Sequence, residues 1–254
     1  MNAVTRWEVV GTTTWGSYIS AIERDAILTA QSLAGPPANA LDIGCEGGRW
    51  TALLDELGWS VTSVDVDEAV LRSCQERVPS ARCVLASPDS TSLECTSGSV
   101  QLLLCIEVQP VVQSEWFFGE AARVLVPGGL MVAVTWNSVS LRGAAATALG
   151  RLRSQGSHPF YRQTYRSWRR ALVEHGFDIL TERGLCWFPL RSRERFPSGP
   201  VRRTTRAKPR TRAAPWPEPL DRRDCTARCV SSMTSHPPAA LINEPGRPPT
   251  SEHP

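Results

Sequence analysis

A glycine-rich segment between the first predicted strand and the helix after it is the part of this sequence best suited to chemistry. It runs Leu41-Asp-Ile-Gly-Cys-Glu-Gly-Gly-Arg-Trp50 and begins within a short apolar stretch, Ala40 to Ile43. Small residues at such a turn let the backbone approach a ligand closely, and the start of the next helix offers unpaired N–H groups. On its own, the segment predicts a site for a nucleotide-like ligand of any kind.

Two aspartates further along the chain restrict the class of ligand that the segment could bind. Asp65 ends the second predicted strand, 21 residues after Gly44, where a carboxylate can accept hydrogen bonds from both hydroxyls of an adenosine ribose. Asp89 follows the third predicted strand, where its carboxylate or the neighbouring backbone can meet an adenine edge. These strand ends together predict a pocket for an adenosine that carries a charged tail.

The elements that must position these residues alternate between strand and helix. Short apolar stretches predict the strands, and helical periodicity predicts the helices between them. This alternation implies right-handed crossovers and a parallel sheet with helices on both faces. A closing hairpin is predicted at 177–190, with its turn at 182–184. The other predicted strands cover 40–43, 60–65, 82–86, 100–106 and 130–136, and the predicted helices cover 17–33, 49–57, 68–77, 114–124 and 164–175.

Four stretches occur in an order and at a spacing typical of one family. They are LDIGCEGGRW, VTSVDVDEAVL, SGSVQLLLCIEV with Asp89 to Leu93 before it, and RVLVPGGLMVAVTW. With them, residues 39–136 resemble the cofactor-binding core of a class I S-adenosylmethionine-dependent methyltransferase. The resemblance implies an α/β, Rossmann-like, doubly wound domain over 1–190. Its mostly parallel, seven-stranded sheet would have an antiparallel last strand, which the hairpin at 177–190 suits.

The resemblance also implies S-adenosyl-L-methionine as cofactor. In this family the glycine-rich loop contacts the methionine part, and the acidic end of the second strand binds the ribose with the next residue beside the adenine. The Asp before the fourth strand faces the adenine amino group, and the end of that strand borders cofactor and acceptor. The residues thereby implied to bind the cofactor are Asp42, Gly44, Glu46, Gly48, Asp65, Val66, Asp89 and Glu107.

Two positions depart from the family pattern. Glu46 replaces the middle glycine of GxGxG, so its side chain must turn away from the cofactor or lie against its cationic amino or sulfonium group. Gln101 stands where a common variant has Asp in the fourth strand, a position that we interpret as structural rather than catalytic.

The catalytic residue is not identified by the sequence. Glu107 is a weak candidate for a general base, needed only if the acceptor must lose a proton. We favour the alternative that it binds cofactor or caps a loop. Other residues near the predicted acceptor pocket are interpreted mainly as packing, wall or filler residues: Cys45, Trp136, Asn137, His158, Tyr161 and Tyr165.

The composition limits the classes of protein to which this chain could belong. Apolar residues make up 41% of the 254 residues, enough for a sizeable core. No apolar run reaches the length of about 18 residues that a membrane helix needs, and the N-terminus lacks the pattern of a secretion signal. The eight cysteines are mostly isolated and have neither disulfide-scaffold nor zinc spacing. We therefore expect a cytoplasmic protein with reduced thiols and no bound metal.

The last 64 residues have a different composition. Residues 191–254 contain 12 Arg and one Lys against six acidic residues, and 12 of the 20 prolines. Such a segment cannot bury enough apolar surface to fold, so it predicts a disordered tail. A nucleic-acid arm is the less favoured interpretation, because only Trp216 could stack on a base. Since the chain is rich in Arg and poor in Lys, a frameshift near residue 190 is a further hypothesis.

Three functions follow from these patterns. The favoured one is methyl transfer from S-adenosylmethionine to a small-molecule acceptor, with no membrane partner and no prediction of oligomeric state. A catalytically inactive S-adenosylmethionine-binding protein is the first alternative, motivated by Glu46. An NAD(P)-dependent oxidoreductase shares the strand–turn–helix pattern and is the second.

Overall fold

The computed structural model describes residues 6–152, 161–184 and 227–234. Within them, most successive strands are separated by helices, as predicted. The strands are β1 (Asn39–Ile43), β2 (Ser60–Asp65), β3 (Arg82–Leu85), β4 (Val100–Cys105), β5 (Leu125–Trp136), β6 (Phe177–Gly184) and β7 (Ala227–Thr234). The helices are α1 (Arg6–Gly11), α2 (Thr14–Ala34), α3 (Arg49–Glu56), α4 (Glu68–Arg77), α5 (Gln109–Val112), α6 (Phe117–Val124), α7 (Leu141–Leu152) and α8 (Tyr165–Glu174).

The first five strands form the parallel sheet that the sequence predicts. Their order is β3-β2-β1-β4-β5, and every neighbouring pair is parallel. The order reverses between β1 and β4, so the carboxyl ends of these two strands flank a crevice, as is typical of ligand sites in doubly wound sheets. The predicted α/β, Rossmann-like fold is therefore confirmed.

Alternating side chains of the central strands face two separate cores. On β4, Leu103 and Cys105 pack into one core, whereas Leu102 and Leu104 pack into the other. The first core is completed by α6 and α8, and the second by α2 and α3. Near-continuous apolar strands are expected when a parallel sheet is covered on both faces.

Side-chain caps fix where the helices that frame the site begin. The Thr13 side chain accepts a hydrogen bond from the backbone of Gly16 at the start of α2, and the Asp67 side chain accepts one from Ala69 at the start of α4. Each cap satisfies an N–H that the first helical turn leaves without a partner.

The predicted hairpin with an antiparallel last strand is wrong. Phe177–Gly184 is one strand, and its sheet neighbour is Ala227–Thr234, which pairs in parallel with both β5 and β6. The polar residues that suggested a turn are paired instead: Glu182 binds Arg169 of α8, and Arg183 binds Asp25 of α2. Residues 185–190, predicted as the second half of the hairpin, lie outside the described residues.

Most of the predicted tail also lies outside the described residues. Within 191–254 the structure describes only Ala227–Thr234, as a strand, which differs from the expectation of disorder for that segment. For the rest of the tail, disorder stays a prediction. Among the described residues, none of the helices combines the length and apolar character needed to span a bilayer.

Candidate active site

The glycine-rich loop turns sharply at the carboxyl end of β1. Gly44 has φ +67 and donates its N–H to the carbonyl of Val64 on β2 at 2.7 Å. A Cβ at this position would lie 2.3 Å from Cγ2 of Val108, which follows β4. Only glycine therefore lets the loop pack this tightly against the neighbouring strand end.

The carboxylate of Asp65 is held by three backbone amides. Its Oδ2 accepts the N–H of Glu46 at 3.0 Å, and its Oδ1 accepts those of Val66 at 2.8 Å and Asp67 at 3.2 Å. These bonds fix the carboxylate at the end of β2, beside the loop. A carboxylate has about four lone-pair sites, so this arrangement leaves it able to accept a further hydrogen bond.

Glu46, which stands at a glycine position of the family pattern, has a left-handed backbone conformation. Its φ is +49, in the left-handed region that side chains other than Gly, Asn and Asp rarely occupy. Its backbone N–H is the one bound by Asp65, and the residue lines the cavity beside the loop. A carboxylate is thereby placed at the wall of the site.

Two cavities meet at Asp65. One, of about 250 Å³, lies beside the glycine-rich loop and is called here the polar cavity. The other, of about 180 Å³, extends along the ends of β2 and β3 and is called the apolar cavity. They share Gly44, Asp65, Val108 and Pro110. The polar cavity is also lined by Cys45, Glu46, Arg49, Trp50, Ile106 and Glu107, and the apolar cavity by Val66, Val84, Ala86, Leu93, Val111 and Trp116 among others.

This arrangement fits an adenosine with a cationic tail. The apolar cavity offers aliphatic and aromatic surface for a flat base. Asp65 lies where the two cavities join, which is where the ribose of such a ligand would lie. On the far side, the polar cavity has carboxylates at Glu46 and Glu107, which are suited to a positive charge. The residues present therefore fit a sulfonium nucleoside.

Glu107 follows β4 and faces the polar cavity. Its φ of +63 is a second left-handed conformation at a residue other than glycine. Its Oε2 accepts the indole N–H of Trp136 at 3.1 Å, which orients the carboxylate from the neighbouring strand β5. Strained backbone of this kind is often retained where a side chain must be aimed into a site.

A chain of amide hydrogen bonds holds the wall behind Trp136. The Oε1 of Gln109 accepts the backbone N–H of Trp136 at 3.0 Å and a bond from the side-chain amide of Gln113 at 2.7 Å. Gln113 in turn accepts the backbone N–H of Arg162 at 2.9 Å through its Oε1. The wall is extended by Tyr161, whose ring centroid is 5.3 Å from that of Trp136.

Part of the chain matches a known protein family. A family model described as a methyltransferase domain matches residues 41–133, from β1 through most of β5. This matched segment is called here the methyltransferase domain. Over it the predicted resemblance to the class I S-adenosylmethionine-dependent methyltransferases is confirmed, and with it the predicted cofactor.

Two named proteins are similar in sequence to part of this chain. The 2-methyl-6-phytyl-1,4-hydroquinone methyltransferase of Synechocystis sp. is 28% identical over 134 residues, which are 50% of this chain and 42% of that protein. The ubiquinone biosynthesis O-methyltransferase of Maricaulis maris is 29% identical over 160 residues, 59% of this chain and 63% of that protein. The chain thus spans less than two thirds of the length of either relative.

One solved structure with a similar fold is a geranyl diphosphate C-methyltransferase from Streptomyces coelicolor. It is 20% identical to this chain and matches with a TM-score of 0.49. The match covers 63% of this chain and 60% of that one.

Some predicted cofactor residues of the methyltransferase domain lie beneath the loop. Asp42 is 2% exposed and accepts the Thr51 hydroxyl hydrogen bond at 2.7 Å. Burial raises the pKa of Asp42 to about 7, although the bond from Thr51 acts in the opposite direction. At Gly48, a Cβ would lie 2.7 Å from Sγ of Cys74. These two residues support the loop from below rather than line the two cavities.

Of the two residues predicted to lie against the adenine, Val66 lines the apolar cavity and Asp89 does not. Val66 is 55% exposed and lines the apolar cavity. Asp89 is exposed, and its neighbours Pro88 and Ser90 line the apolar cavity instead. Contact of Asp89 with the adenine amino group stays a prediction.

Several of the remaining predicted residues have structural partners. The Gln101 side chain accepts the backbone N–H of Asn39 at 3.0 Å, and Asn137 accepts the backbone N–H of Tyr165 at 3.1 Å. Cys45 is buried and hydrogen-bonds to Cys74, which lowers the pKa of the Cys74 thiol to about 6 and raises that of Cys45. His158 and Trp216 lie outside the described residues.

The sequence did not single out Arg49, which also lines the polar cavity of the methyltransferase domain. Its guanidinium donates to the Ser20 hydroxyl at 2.6 Å and to Oε2 of Glu23 at 3.1 Å. Both partners lie on α2, more than 25 residues earlier in the chain. The position of Arg49 directly after the glycines was a signal for a role at the site, but its partners had no local signal.

Proposed function

We propose that this protein transfers a methyl group from S-adenosylmethionine to a small-molecule acceptor. The observation that carries the proposal is the position of Asp65 at the junction of an apolar and a polar cavity, beside the glycine-rich loop.

Each part of the site has a role in this proposal. S-adenosylmethionine, when bound, supplies a methyl group already activated by a sulfonium. Asp65 accepts a hydrogen bond from a ribose hydroxyl, while the apolar cavity holds the adenine. Glu46 and Glu107 place negative charge beside the cationic end. Positioning of this kind accounts for most of the catalysis that a displacement at an activated carbon needs.

The acceptor would enter from the side of Glu107 and Trp136. The indole N–H of Trp136 orients the Glu107 carboxylate at 3.1 Å, so that it faces the polar cavity in a fixed direction. For an acceptor that loses a proton, such as a phenol, Glu107 would accept that proton. For other acceptors, the same carboxylate serves only to bind cofactor.

Phenols and hydroquinones are the first acceptors to test, since one relative acts on a hydroquinone and another belongs to ubiquinone biosynthesis. We further propose the cytoplasm as the compartment, because Cys45 and Cys74 lie together as free thiols, which a reducing compartment would maintain.

The test combines binding with turnover. Titration calorimetry of the full chain with S-adenosylmethionine and S-adenosylhomocysteine should show saturable binding of both. Transfer of a radiolabelled methyl group to extractable product should follow with at least one acceptor from a panel of phenols, hydroquinones, amines and carbon acids. Binding without transfer to any acceptor would favour the inactive binding protein, while no binding of either compound would refute the proposal.

A further inference from the structure

The charges around the polar cavity are unevenly distributed. Among the described residues that line it, Glu46, Asp65 and Glu107 are acidic, and Arg49 is the sole base. Like charges that face one cavity disfavour a ligand of the same sign. A ligand that carries both a cationic centre and a carboxylate would therefore be bound in one orientation, with its carboxylate at Arg49.

Arg49 is held in place before any ligand arrives. It is the first residue of α3, and its side chain is 26% exposed. Hydrogen bonds to Ser20 and Glu23 fix its guanidinium from α2, and the ring of Trp50 lies 4.0 Å from its Cζ. A guanidinium fixed in this way loses little conformational freedom when it binds a carboxylate.

The residue that fixes Arg49 is costly to bury. Glu23 is fully buried, and among the described residues its Oε1 has no hydrogen-bond partner. Burial raises the pKa of Glu23 to about 7, despite the opposing effect of Arg49. Apolar residues would join α2 to α3 at least as well as a buried ion pair does. The pair therefore calls for a role beyond the packing of the two helices.

We infer that Arg49 recognises the carboxylate of the cofactor's methionine end, and that Glu23 and Ser20 position it for this role. The inference rests on the proposed function and adds to it the residue that distinguishes the intact amino-acid tail from a tail without a carboxylate. The paired charge and shape of guanidinium and carboxylate suit this contact.

The experiment uses two ligands that differ only in the carboxylate. Titration calorimetry gives the Kd of S-adenosylmethionine and of its decarboxylated form, and the ratio of the two Kd values measures recognition of the carboxylate. We expect wild-type protein to prefer the intact compound by roughly 10- to 100-fold, as for a hydrogen-bonded charged pair. Arg49→Gln should bring the ratio close to one, mainly by weakening binding of the intact compound.

Variants of Glu23 test its positioning role. Glu23→Ala should lower the ratio because Arg49 loses its support, whereas Glu23→Gln should keep it because an amide oxygen still accepts the guanidinium N–H. A loss of packing alone would weaken both ligands equally and leave the ratio unchanged. The control is Arg169→Gln, which removes the surface ion pair to Glu182 and should leave both Kd values unchanged. If Arg49→Gln does not fold, the ratio of the two Kd values is measured instead for Arg49→Lys and for the two Glu23 variants.

The two proposals fail in different ways. If wild-type protein binds neither ligand, the proposed function fails and this inference with it. If both ligands bind and the ratio is the same in wild type and the Arg49 variants, the inference alone is overturned.

Discussion

The Oδ2 of Asp65 accepts the backbone N–H of Glu46 at 3.0 Å, so the end of β2 and the glycine-rich loop are joined by a direct hydrogen bond. The residue proposed to bind the ribose and the loop proposed to contact the methionine tail are therefore positioned together. A change at Asp65 should affect both contacts.

Replacing Asp65 by Ala removes the ribose acceptor and the tie to Glu46. We expect weaker binding of S-adenosylhomocysteine by about 1–3 kcal/mol, as for loss of a hydrogen bond to a charged group. Titration calorimetry measures the change, with the exposed Asp178→Ala on β6 as control. Equal affinities of the Asp65 variant and wild type would show that the ribose lies elsewhere.

Gly44→Ala should destabilise the domain through two separate effects. A Cβ at this position would meet Cγ2 of Val108 at 2.3 Å, and the backbone has φ +67. We expect a loss of roughly 2–4 kcal/mol in the free energy of unfolding, from overpacking and backbone strain together. Gly98→Ala is the matched control, because φ is +60 there and a Cβ would meet nothing within 4 Å. Urea denaturation that gives the same loss for both variants would contradict the close contact with Val108.

Two variants of Glu46 separate an electrostatic role from a steric one. If its carboxylate stabilises the cationic end of the cofactor, Glu46→Gln should weaken binding of S-adenosylmethionine by about 1 kcal/mol. The uncharged thioether S-adenosylhomocysteine should lose less affinity in the same titration. Glu46→Gly should behave in the same way. Improved binding of both compounds by Glu46→Gly alone would show instead that the side chain obstructs the cavity.

The buried carboxyl of Asp42 predicts that stability falls as the pH rises. Burial raises its pKa from 3.8 to about 7, so between these values the unfolded chain has released a proton that the folded chain retains. Over this range the free energy of unfolding should decrease by roughly 4 kcal/mol through Asp42. Asp42→Asn keeps an acceptor for Thr51 and should flatten the dependence, although Glu23 contributes a slope of the same sign.

Urea denaturation at several values between pH 4.5 and 8 measures this slope. Asp178→Asn, which changes an exposed carboxylate, serves as the control and should leave the slope as in wild type. An Asp42→Asn variant with the wild-type slope would mean that Asp42 is ionised in the folded protein.

Local sequence patterns predict the parts of the site that depend on neighbouring residues. The turn at Gly44 and the placement of Asp65 follow from where apolar strands end, since parallel strands bring these ends to one edge of the sheet. Arg49 escaped such reasoning because its role depends on Glu23, which is buried only once α2 packs on α3. The partnership of Asp42 with Thr51 likewise arises from the packing of α3 on β1.

The errors in the predicted fold have a related cause. Glu182 and Arg183 suggested a turn by their polarity, yet partners on α8 and α2 let them continue a strand. The predicted fifth strand begins at residue 130, whereas β5 already begins at Leu125 and its pairing with β4 shifts register between Val100 and Leu102. In both segments, contacts with residues distant in the sequence determine where the strand runs.

The bonds that join Gln109 and Gln113 to the wall at Trp136 and Arg162 are made by side-chain amides and the backbone. Neither kind of group gains or loses a proton in the physiological range. This side of the acceptor pocket should therefore keep its shape from mildly acidic to mildly alkaline solution. A bell-shaped rate profile would then report the ionisation of carboxylates and acceptor, undistorted by movement of this wall.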